Sequence, residues 1–241
     1  MNQPRGMALL LVLWLLALLS VVLAGVASAV QVQLRQALAV RNQTEAHLAA
    51  EAGLSLAVTA LLAGAPQARW HADGQVHTAT FGGAQLAIRV RGEQGKLDLN
   101  AAPAKDVARV LGRCGATASV AGGIASALAA RQHGDAPIAL LEEFRALPGN
   151  TFALYQCALP YLTVWSGAPQ PDPALAAPWL AEALHLPRIQ GVAPGLNPGQ
   201  VVTVSSHATL ANGYEHRLHV TLTLNSPQAG ARPYRALRWQ E

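Results

Sequence analysis

The chain has 241 residues, of which 51% are hydrophobic and only 12% are charged. Charged residues make up about a quarter of an average soluble domain, so this composition excludes disorder and supplies enough apolar surface for a core. The formal net charge of +4 is too small to indicate nucleic-acid binding. Two cysteines exclude a zinc site built from cysteines and a cysteine-rich scaffold.

A strongly apolar segment follows a short polar start. Arg5 is the charge before it, and residues 7–34 contain no charge. As a helix, residues 7–30 would span about 36 Å, and the hydrocarbon core of a bilayer is about 30 Å thick. The segment is therefore long enough to cross a membrane.

Three interpretations of this segment compete. Ala27-Ser28-Ala29 is typical of a secretory cleavage site, and a plain membrane anchor explains the same length. The third interpretation is a prepilin-type signal, which is cut before the apolar segment. Arg5-Gly6 directly before that segment favours it, because glycine obstructs a peptidase least and a basic residue favours the cytoplasmic side.

The run from Arg5 to Leu19 resembles the start of minor pseudopilin K of bacterial type II secretion systems, the general secretion pathway protein K family. The resemblance implies cleavage between Gly6 and Met7 by the prepilin peptidase, and N-methylation of Met7. It also implies a single-pass protein of the inner membrane, with the bulk of the chain in the periplasm.

The fifth position of the mature chain departs from the general pilin pattern. Most pilins and pseudopilins carry Glu there, and this chain carries Leu11. A charged group in a membrane helix costs about 2.5–3.5 kcal/mol on insertion scales, and in the family its partner is the amine of the preceding subunit. A subunit that assembles first has no predecessor, so Leu11 favours a tip subunit. The alternative is that Leu11 excludes a pilin altogether.

After the apolar segment the pattern predicts that the helix continues to a stop at Gly64-Ala65-Pro66. A stripe of apolar residues at steps of three to four residues predicts the face that packs on the protein's own sheet. That stripe is Leu34, Leu38, Leu48, Ala52 and Leu56. The stretch from Ala49 to Leu54 is similar to the corresponding part of the K family.

Two β-hairpins are predicted from alternating residues. One comprises residues 76–81 and 84–90, and the other comprises residues 201–207 and 216–224 around a two-residue turn at Asn212-Gly213. A helical block, with Asn100 as a predicted N-cap, separates them from residue 103 to residue 161. The sheet must therefore form from segments that are far apart in sequence.

Several stretches of this middle block are also similar to the K family. The fold that the resemblance implies is α+β. It has a pilin-like long N-terminal helix packed on an antiparallel sheet, with a large inserted all-α domain. The similar stretches are Lys96–Pro103, Val107–Leu111, Val120–Ala130, Leu140–Gly149 and Leu159–Gly167. The expected parts are a leader (1–6), a membrane segment (7–30), the periplasmic half of the helix (31–66), two β sections (67–99 and 200–241), the insert (100–166) and a Pro-rich connection (167–199).

Cys114 and Cys157 both fall in the predicted insert. An oxidising periplasm favours a disulfide between them, worth about 3–4 kcal/mol in the chain-entropy model; two buried thiols are the alternative. Calcium is implied by the resemblance alone, and no cofactor is assigned from the residues. The nearest acidic group, Asp135, Glu142 and Glu143, matches no ligand motif, so Glu142-Glu143 is interpreted as a solvated helix turn.

No motif of a serine hydrolase or a zinc protease is present. No catalytic residue is assigned, no histidine is assigned to a metal, and the chain is expected not to be an enzyme. Leu147-Pro148-Gly149 is also typical of DNA-binding helical hairpins, but Arg145 alone is not the basic cluster that phosphate binding needs. No nucleic-acid partner is expected.

The function implied by the resemblance is assembly. The chain would stand at the tip of the pseudopilus and nucleate it with minor pseudopilins I and J, above a shaft of the major pseudopilin, for protein export across the outer membrane. The alternative is a membrane-anchored periplasmic binding protein or enzyme of unknown substrate.

Overall fold

The computed structural model of the chain describes residues 5–134, 136–187, 201–225 and 232–241. These residues form a five-stranded sheet, a two-stranded sheet and six α-helices, so the fold is α+β, as predicted. The helices are α1 (Arg5–Leu61), α2 (Ala104–Arg113), α3 (Ala118–His133), α4 (Leu141–Arg145), α5 (Phe152–Ala158) and α6 (Pro178–Leu184). The strands are β1 (Asp73–Phe81), β2 (Ala84–Gly92), β3 (Leu97–Asp98), β4 (Leu162–Thr163), β5 (Val201–Thr209), β6 (Glu215–Leu224) and β7 (Tyr234–Gln240).

Helix α1 is one continuous element of 57 residues, about 85 Å long at 1.5 Å per residue. It contains no proline, and the chain leaves the helix just before Gly64-Ala65-Pro66, close to the predicted stop. Ala46 is the first residue of α1 that is buried among those with a described side chain. The helix therefore has a free N-terminal part and a C-terminal part that packs on the protein.

The large sheet is antiparallel throughout, in the order β1-β2-β5-β6-β7. Both predicted hairpins are confirmed, and β2 pairs with β5 although more than a hundred residues separate them, with Leu86 opposite Ala208. Strand β7, on the outer side of β6, was not predicted. Its exposed Arg235 and Trp239 give it weak alternation between buried and exposed residues.

The turn between β5 and β6 differs from the prediction. The N–H of Leu210 donates to the carbonyl of Tyr214 over 2.8 Å, and the N–H of Gly213 donates to the carbonyl of Leu210 over 2.9 Å. Residues 211–213 therefore form a three-residue loop, and Gly213 has φ +82°. A three-residue hairpin loop commonly closes on a left-handed residue, so Asn212-Gly213 marks the turn but not its length.

The predicted packing face of α1 is wrong. Four of its members are exposed: Leu34, Leu38, Leu48 and Leu56 have exposed fractions between 41% and 60%. The buried face instead consists mostly of small residues: Ala46, Ala49, Ala50, Leu54, Ala57, Val58 and Leu61.

Close approach of the helix to the sheet explains this choice of face. A Cβ added at Gly53 would lie 2.2 Å from Ser206 Oγ and 3.3 Å from a side-chain carbon of Ile88. Alanine and glycine let a helix backbone come near a sheet, and a row of leucines would hold it away. The helix therefore packs through its small residues, and the leucine stripe faces outward.

The protein has one hydrophobic core between α1 and the large sheet. A second core is made by the helices between β2 and β5. Phe144, Leu111 and Ile124 are completely buried in it. The structure also places Leu180 and Leu184 of α6 in this core, although the sequence assigned residues 167–199 to a connection. Residues 188–199 of that segment lie outside the described residues. Pro178 at the first turn and apolar residues at helical spacing make α6 a short core helix.

Asn100 is not a helix N-cap. Helix α2 begins after Pro103, which occupies that position without a side-chain cap. The Asn100 side chain instead forms two hydrogen bonds of 2.8 Å with the backbone of Ile138, donating to its carbonyl and accepting from its N–H. Asn100 therefore joins the start of the helical block to the segment before α4.

Candidate assembly surface

The free part of α1 presents a long, strongly apolar surface. All described side chains from Leu11 to Arg41 are exposed. Among the described residues, α1 is the one helix long and apolar enough to cross a membrane. An apolar stretch within it has a mean hydropathy of 2.5 and no buried residue. An exposed apolar segment of this length is typical of a membrane anchor, of a helix that packs against other chains, or of a secretory signal.

Polar groups inside this segment are satisfied within the helix. The hydroxyl of Ser20 donates to the carbonyl of Leu16 over 2.8 Å, and that of Ser28 donates to the carbonyl of Ala24 over 2.7 Å. Such back-bonding removes the cost of placing a hydroxyl in a medium without water. The segment can therefore lie in lipid or in a dry bundle of helices.

The predicted processing residues lie at the beginning of this helix. Gly6 and Met7 belong to its first turn, and Leu11 follows one turn later with 68% of its surface exposed. The backbone of these residues is helical. The Ala27-Ser28-Ala29 stretch is also helical.

Helices α2 to α5 of the helical block lie between two short strands that pair with each other. Strand β3 pairs in parallel with β4, Leu97 beside Leu162 and Asp98 beside Thr163. The chain that enters α2 and the chain that leaves α5 therefore lie side by side. This arrangement allows a large helical block to occupy the connection between β2 and β5 without spreading the two strands.

Asp98 stabilises the junction at which β3 pairs with β4. It is almost fully buried, and its carboxylate accepts hydrogen bonds from the N–H of Asn100 (2.8 Å), the hydroxyl of Ser166 (3.1 Å) and the N–H of Gly167 (2.8 Å). A buried carboxylate needs such donors to offset the loss of water. This role of Asp98 was not predicted from the sequence, because Asp98 and Gly167 are 69 positions apart.

Cys114 and Cys157 form a disulfide, with their Cα atoms 5.8 Å apart. Cys114 caps the end of α2, and Cys157 lies in α5. The bond closes a loop that contains α3 and α4, and it therefore holds four helices of the block together.

The acidic residues considered for calcium have other partners. Glu142 forms an ion pair with Arg238 of β7, and Glu143 forms one with Arg131 of α3 over 2.6 Å. Glu143 Oε1 also accepts from the N–H of Leu140 over 3.1 Å. Asp135 lies outside the described residues. The interpretation of Glu142-Glu143 as a merely solvated turn is therefore replaced by two ion pairs.

These contacts change the acidity of the groups involved. The hydrogen bond from Arg131, with that from the Leu140 N–H, lowers the pKa of Glu143. Burial raises the pKa of Tyr155, which lies close to the Glu142–Arg238 pair. The lowered pKa favours the ionised form of Glu143. Separately, the ion pair between Glu142 and Arg238 links the helical block to the edge of the large sheet.

The segment Leu147-Pro148-Gly149 joins two short helices. The N–H of Asn150 donates to the carbonyl of Leu147 over 3.1 Å, and the Asn150 side chain donates to the carbonyl of Phe144 over 2.8 Å. Arg145 lies over the ring of Phe152, 5.2 Å from its centre. These contacts explain the motif as a compact connection between α4 and α5.

A groove of about 310 Å³ separates the helical block from the sheet. Arg91, Lys96, Arg238 and His219 give it a basic lining. Burial and the neighbouring Arg217 lower the pKa of His219, and Lys96 is paired with the buried Glu93. The groove was not predicted from the sequence, because its lining residues come from six separate segments of the chain.

The fold defines a class. A long helix that lies on an antiparallel sheet through its C-terminal part and projects an apolar N-terminal part is the architecture of a pilin-like protein, here with helices between β2 and β5.

Among solved structures, the crystal structure of the GspK–GspI–GspJ complex from the type 2 secretion system of enterotoxigenic Escherichia coli contains a chain with this fold. The TM-score is 0.58 at 18% sequence identity, and the match covers 83% of this chain and 98% of that chain. At this identity the likeness is one of fold.

The two sequence comparisons give no relative. No protein-family model matches the chain, and no curated protein matches it.

Proposed function

We propose that the chain is a minor pseudopilin of a type II secretion system, of the K kind, and that its work is assembly and not catalysis. The observation that carries the proposal is the pilin-like fold with its helical block, shared over 83% of the chain with a member of the GspK–GspI–GspJ complex. The resemblance of residues 5–19 to the K family supports the same conclusion independently of the tertiary structure.

The N-terminus is processed before assembly in this proposal. The prepilin peptidase cuts between Gly6 and Met7, and Met7 is then N-methylated. The apolar segment stays on the mature chain and anchors it in the inner membrane, with the sheet and the helical block in the periplasm. The exposed, uncharged face of α1 and its self-satisfied serines support this location.

The same helix then serves the filament. As shaft subunits of the major pseudopilin assemble below, α1 leaves the lipid and packs against neighbouring helices. The transfer needs little free energy, because lipid and the centre of a helical bundle are both dry. The outward leucines Leu34, Leu38, Leu48 and Leu56 continue this contact surface into the periplasmic part of α1.

The subunit stands at the tip of the pseudopilus in this proposal, and Leu11 and the helical block support that position. Leu11 brings no carboxylate that needs the amine of a preceding subunit, so nothing above it is required. The helical block is bulky and is held rigidly at Asp98 and by the disulfide. It therefore blocks addition of a further subunit above, while minor pseudopilins I and J pack beside α1 and nucleate the pseudopilus for export across the outer membrane.

Intact mass of the mature protein, from cells that contain the prepilin peptidase, tests the processing. Removal of six residues from 241 leaves 235, and the expected mass is that of this chain with one added methyl group. Gly6→Leu should abolish cleavage. Gly25→Ala is the matched control, since a Cβ there meets no neighbour, and it should be processed normally. A chain that starts at Val30 indicates a secretory signal, and one that keeps Met1 indicates a plain anchor; either result contradicts the proposal.

Co-purification tests the partners. The full-length chain, expressed with candidate I and J subunits and extracted in detergent, should elute with both at micromolar concentration. Failure to form this complex would contradict the tip role even if cleavage occurs after Gly6. A Leu11→Glu variant should still bind I and J but should nucleate fewer pseudopili, because its carboxylate has no partner in the first subunit.

A further inference from the structure

Three distant segments bring two imidazoles and a carboxylate together beside α1. His47 lies on α1, His216 on β6, and Glu241 directly after β7. His47 Nδ1 is 3.3 Å from His216 Nε2 and 3.8 Å from Glu241 Oε1. The two rings meet edge to face, with their centres 5.1 Å apart. One ligand atom from each of the three residues lies within 4.8 Å of the others.

The spacing of these atoms fits a tetrahedral metal. Zinc–nitrogen bonds of 2.0–2.1 Å place two tetrahedral ligand atoms about 3.3–3.4 Å apart, which is the separation of the two ring nitrogens. Two ring nitrogens at this distance need either a shared proton or a shared cation, since lone pairs facing each other repel. The carboxylate of Glu241 stands on the same side and supplies negative charge.

A second carboxylate completes the pattern. The other ring nitrogen of His47, Nε2, is 3.5 Å from Oε1 of Glu51, one turn further along α1. A histidine that binds a metal usually donates its remaining N–H to a carboxylate or carbonyl, and this fixes the tautomer in which the first nitrogen is free to bind. When the ion is bound, Glu51 would accept the N–H of Nε2 and leave Nδ1 of His47 free to face His216 and Glu241.

The donor set selects the kind of metal. Imidazole nitrogen suits zinc and the neighbouring transition metals, and calcium requires six to eight oxygen ligands. We propose that His47 Nδ1, His216 Nε2 and the carboxylate of Glu241 bind one Zn²⁺ ion, with water in the fourth position.

The position of the site gives it a consequence for the fold. His47 follows Ala46, the first buried residue described on α1. The ion would therefore link α1 to β6 and to the end of β7 at the point where the free N-terminal part of α1 leaves the protein. Bound zinc would then fix the angle between α1 and the large sheet. This inference goes beyond the proposed assembly role and does not depend on it.

Zinc titration of the full-length chain in detergent, after treatment with EDTA, tests the proposal. Isothermal titration with zinc chloride should show one site, and the chain should unfold at a higher temperature when zinc is bound. His47→Gln and His216→Gln should each remove this binding. Glu51→Gln should weaken it by about 10- to 100-fold, the effect of losing an outer partner of a ligand.

His207→Gln is the matched control. His207 lies on the adjacent strand, and its Nε2 contacts Glu215 over 3.1 Å, so this variant removes an imidazole–carboxylate pair of similar exposure. It should bind zinc as the parent does, and excess calcium should not displace the ion. Absence of zinc binding would show that the two rings merely share a proton. Binding that survives in both His47→Gln and His216→Gln would place the ion elsewhere. Either result overturns the proposal, and neither bears on cleavage after Gly6.

Discussion

The two cores of the protein are built in different ways. The sheet core joins one long helix to five strands, and the helix approaches the sheet closely at Gly53. The helical core joins described helices of only five to sixteen residues. Both cysteines and the buried carboxylate of Asp98 hold that core.

The difference follows from element length. Isolated helices shorter than about 12–15 residues are marginal in water, so the short helices α4, α5 and α6 depend on tertiary contacts and on links at single points. The sheet core distributes its stability over long ladders and a broad contact. We therefore expect single substitutions to damage the helical core more, and to do so without unfolding the sheet.

The disulfide gives the largest expected effect. Cys114→Ala with Cys157→Ala should lower the free energy of unfolding of the helical core by about 3–4 kcal/mol in the chain-entropy model, because 43 positions separate the two cysteines. Hydrogen exchange measured by mass spectrometry should accelerate in α2 to α5 and stay slow in β5 and β6. Reductant should have no further effect on this double variant. Equal acceleration in β5 and β6 would show that the two cores unfold as one unit.

The second largest effect is expected for the buried carboxylate of Asp98, where β3 pairs with β4. Asp98→Asn leaves one acceptor oxygen in place of two and sets an amide against the donors of Ser166 and Gly167, so the unfolding free energy should fall by about 2 kcal/mol. Denaturant unfolding of the detergent-solubilised chain measures it. Asp73→Asn is the control, since exposed Asp73 also accepts a backbone N–H, from Gln75 over 2.9 Å. A loss as large in Asp73→Asn would contradict the role given to Asp98.

The close contact of the sheet core comes third. Gly53→Ala should destabilise by about 1–2 kcal/mol, because overpacking exceeds the gain in helix propensity. Adding Ser206→Gly should restore much of this loss, since it removes the hydroxyl that the new Cβ would meet at 2.2 Å. Gly122→Ala in α3 has open space and should stabilise slightly. Thermal unfolding compares the variants, and a neutral Gly53→Ala would show that the helix can move away at little cost.

The smallest effect concerns pH. Arg131 and the Leu140 N–H lower the pKa of Glu143 in the folded protein, so the ionised group stabilises the fold at pH values above the ordinary carboxyl pKa. This contribution is lost as the pH falls through the lowered value. Exchange at the Ala139 and Leu140 amides should then increase in the parent but not in Glu143→Gln. Glu182→Gln, which breaks the exposed pair with Arg113, should keep the parent's pH dependence; the same loss in both variants would contradict the assignment.

Local patterns predicted the elements well and their packing less well. Residues 82–83 and 212–213 mark both hairpin turns, since turn chemistry is a property of neighbouring residues. The stripe from Leu34 to Leu56 predicted the wrong face of α1, because helical spacing shows which residues share a face but not which face meets the sheet. In a helix that leaves the protein, those leucines face outward, and the alanines that pack on the sheet give no strong signal.

Side chains that meet across the fold were beyond prediction from the sequence. Asn100 was assigned as a cap because its neighbours suggested a helix start, and its partner Ile138 is 38 positions away. The sequence could suggest a bond between Cys114 and Cys157, since the chain has two cysteines. It could not suggest that His47 meets His216, because eight histidines allow many pairs.

The apolar run after Gly6, the helix that follows it and the hairpins are readable along the chain, because each depends on residues within a few positions of one another. The order of strands, the face on which α1 lies, the closure at Asp98 and the cluster around His47 arise only when distant segments pack. Contacts of that kind depend on how closely two backbones can approach, and here one glycine facing one serine sets that distance.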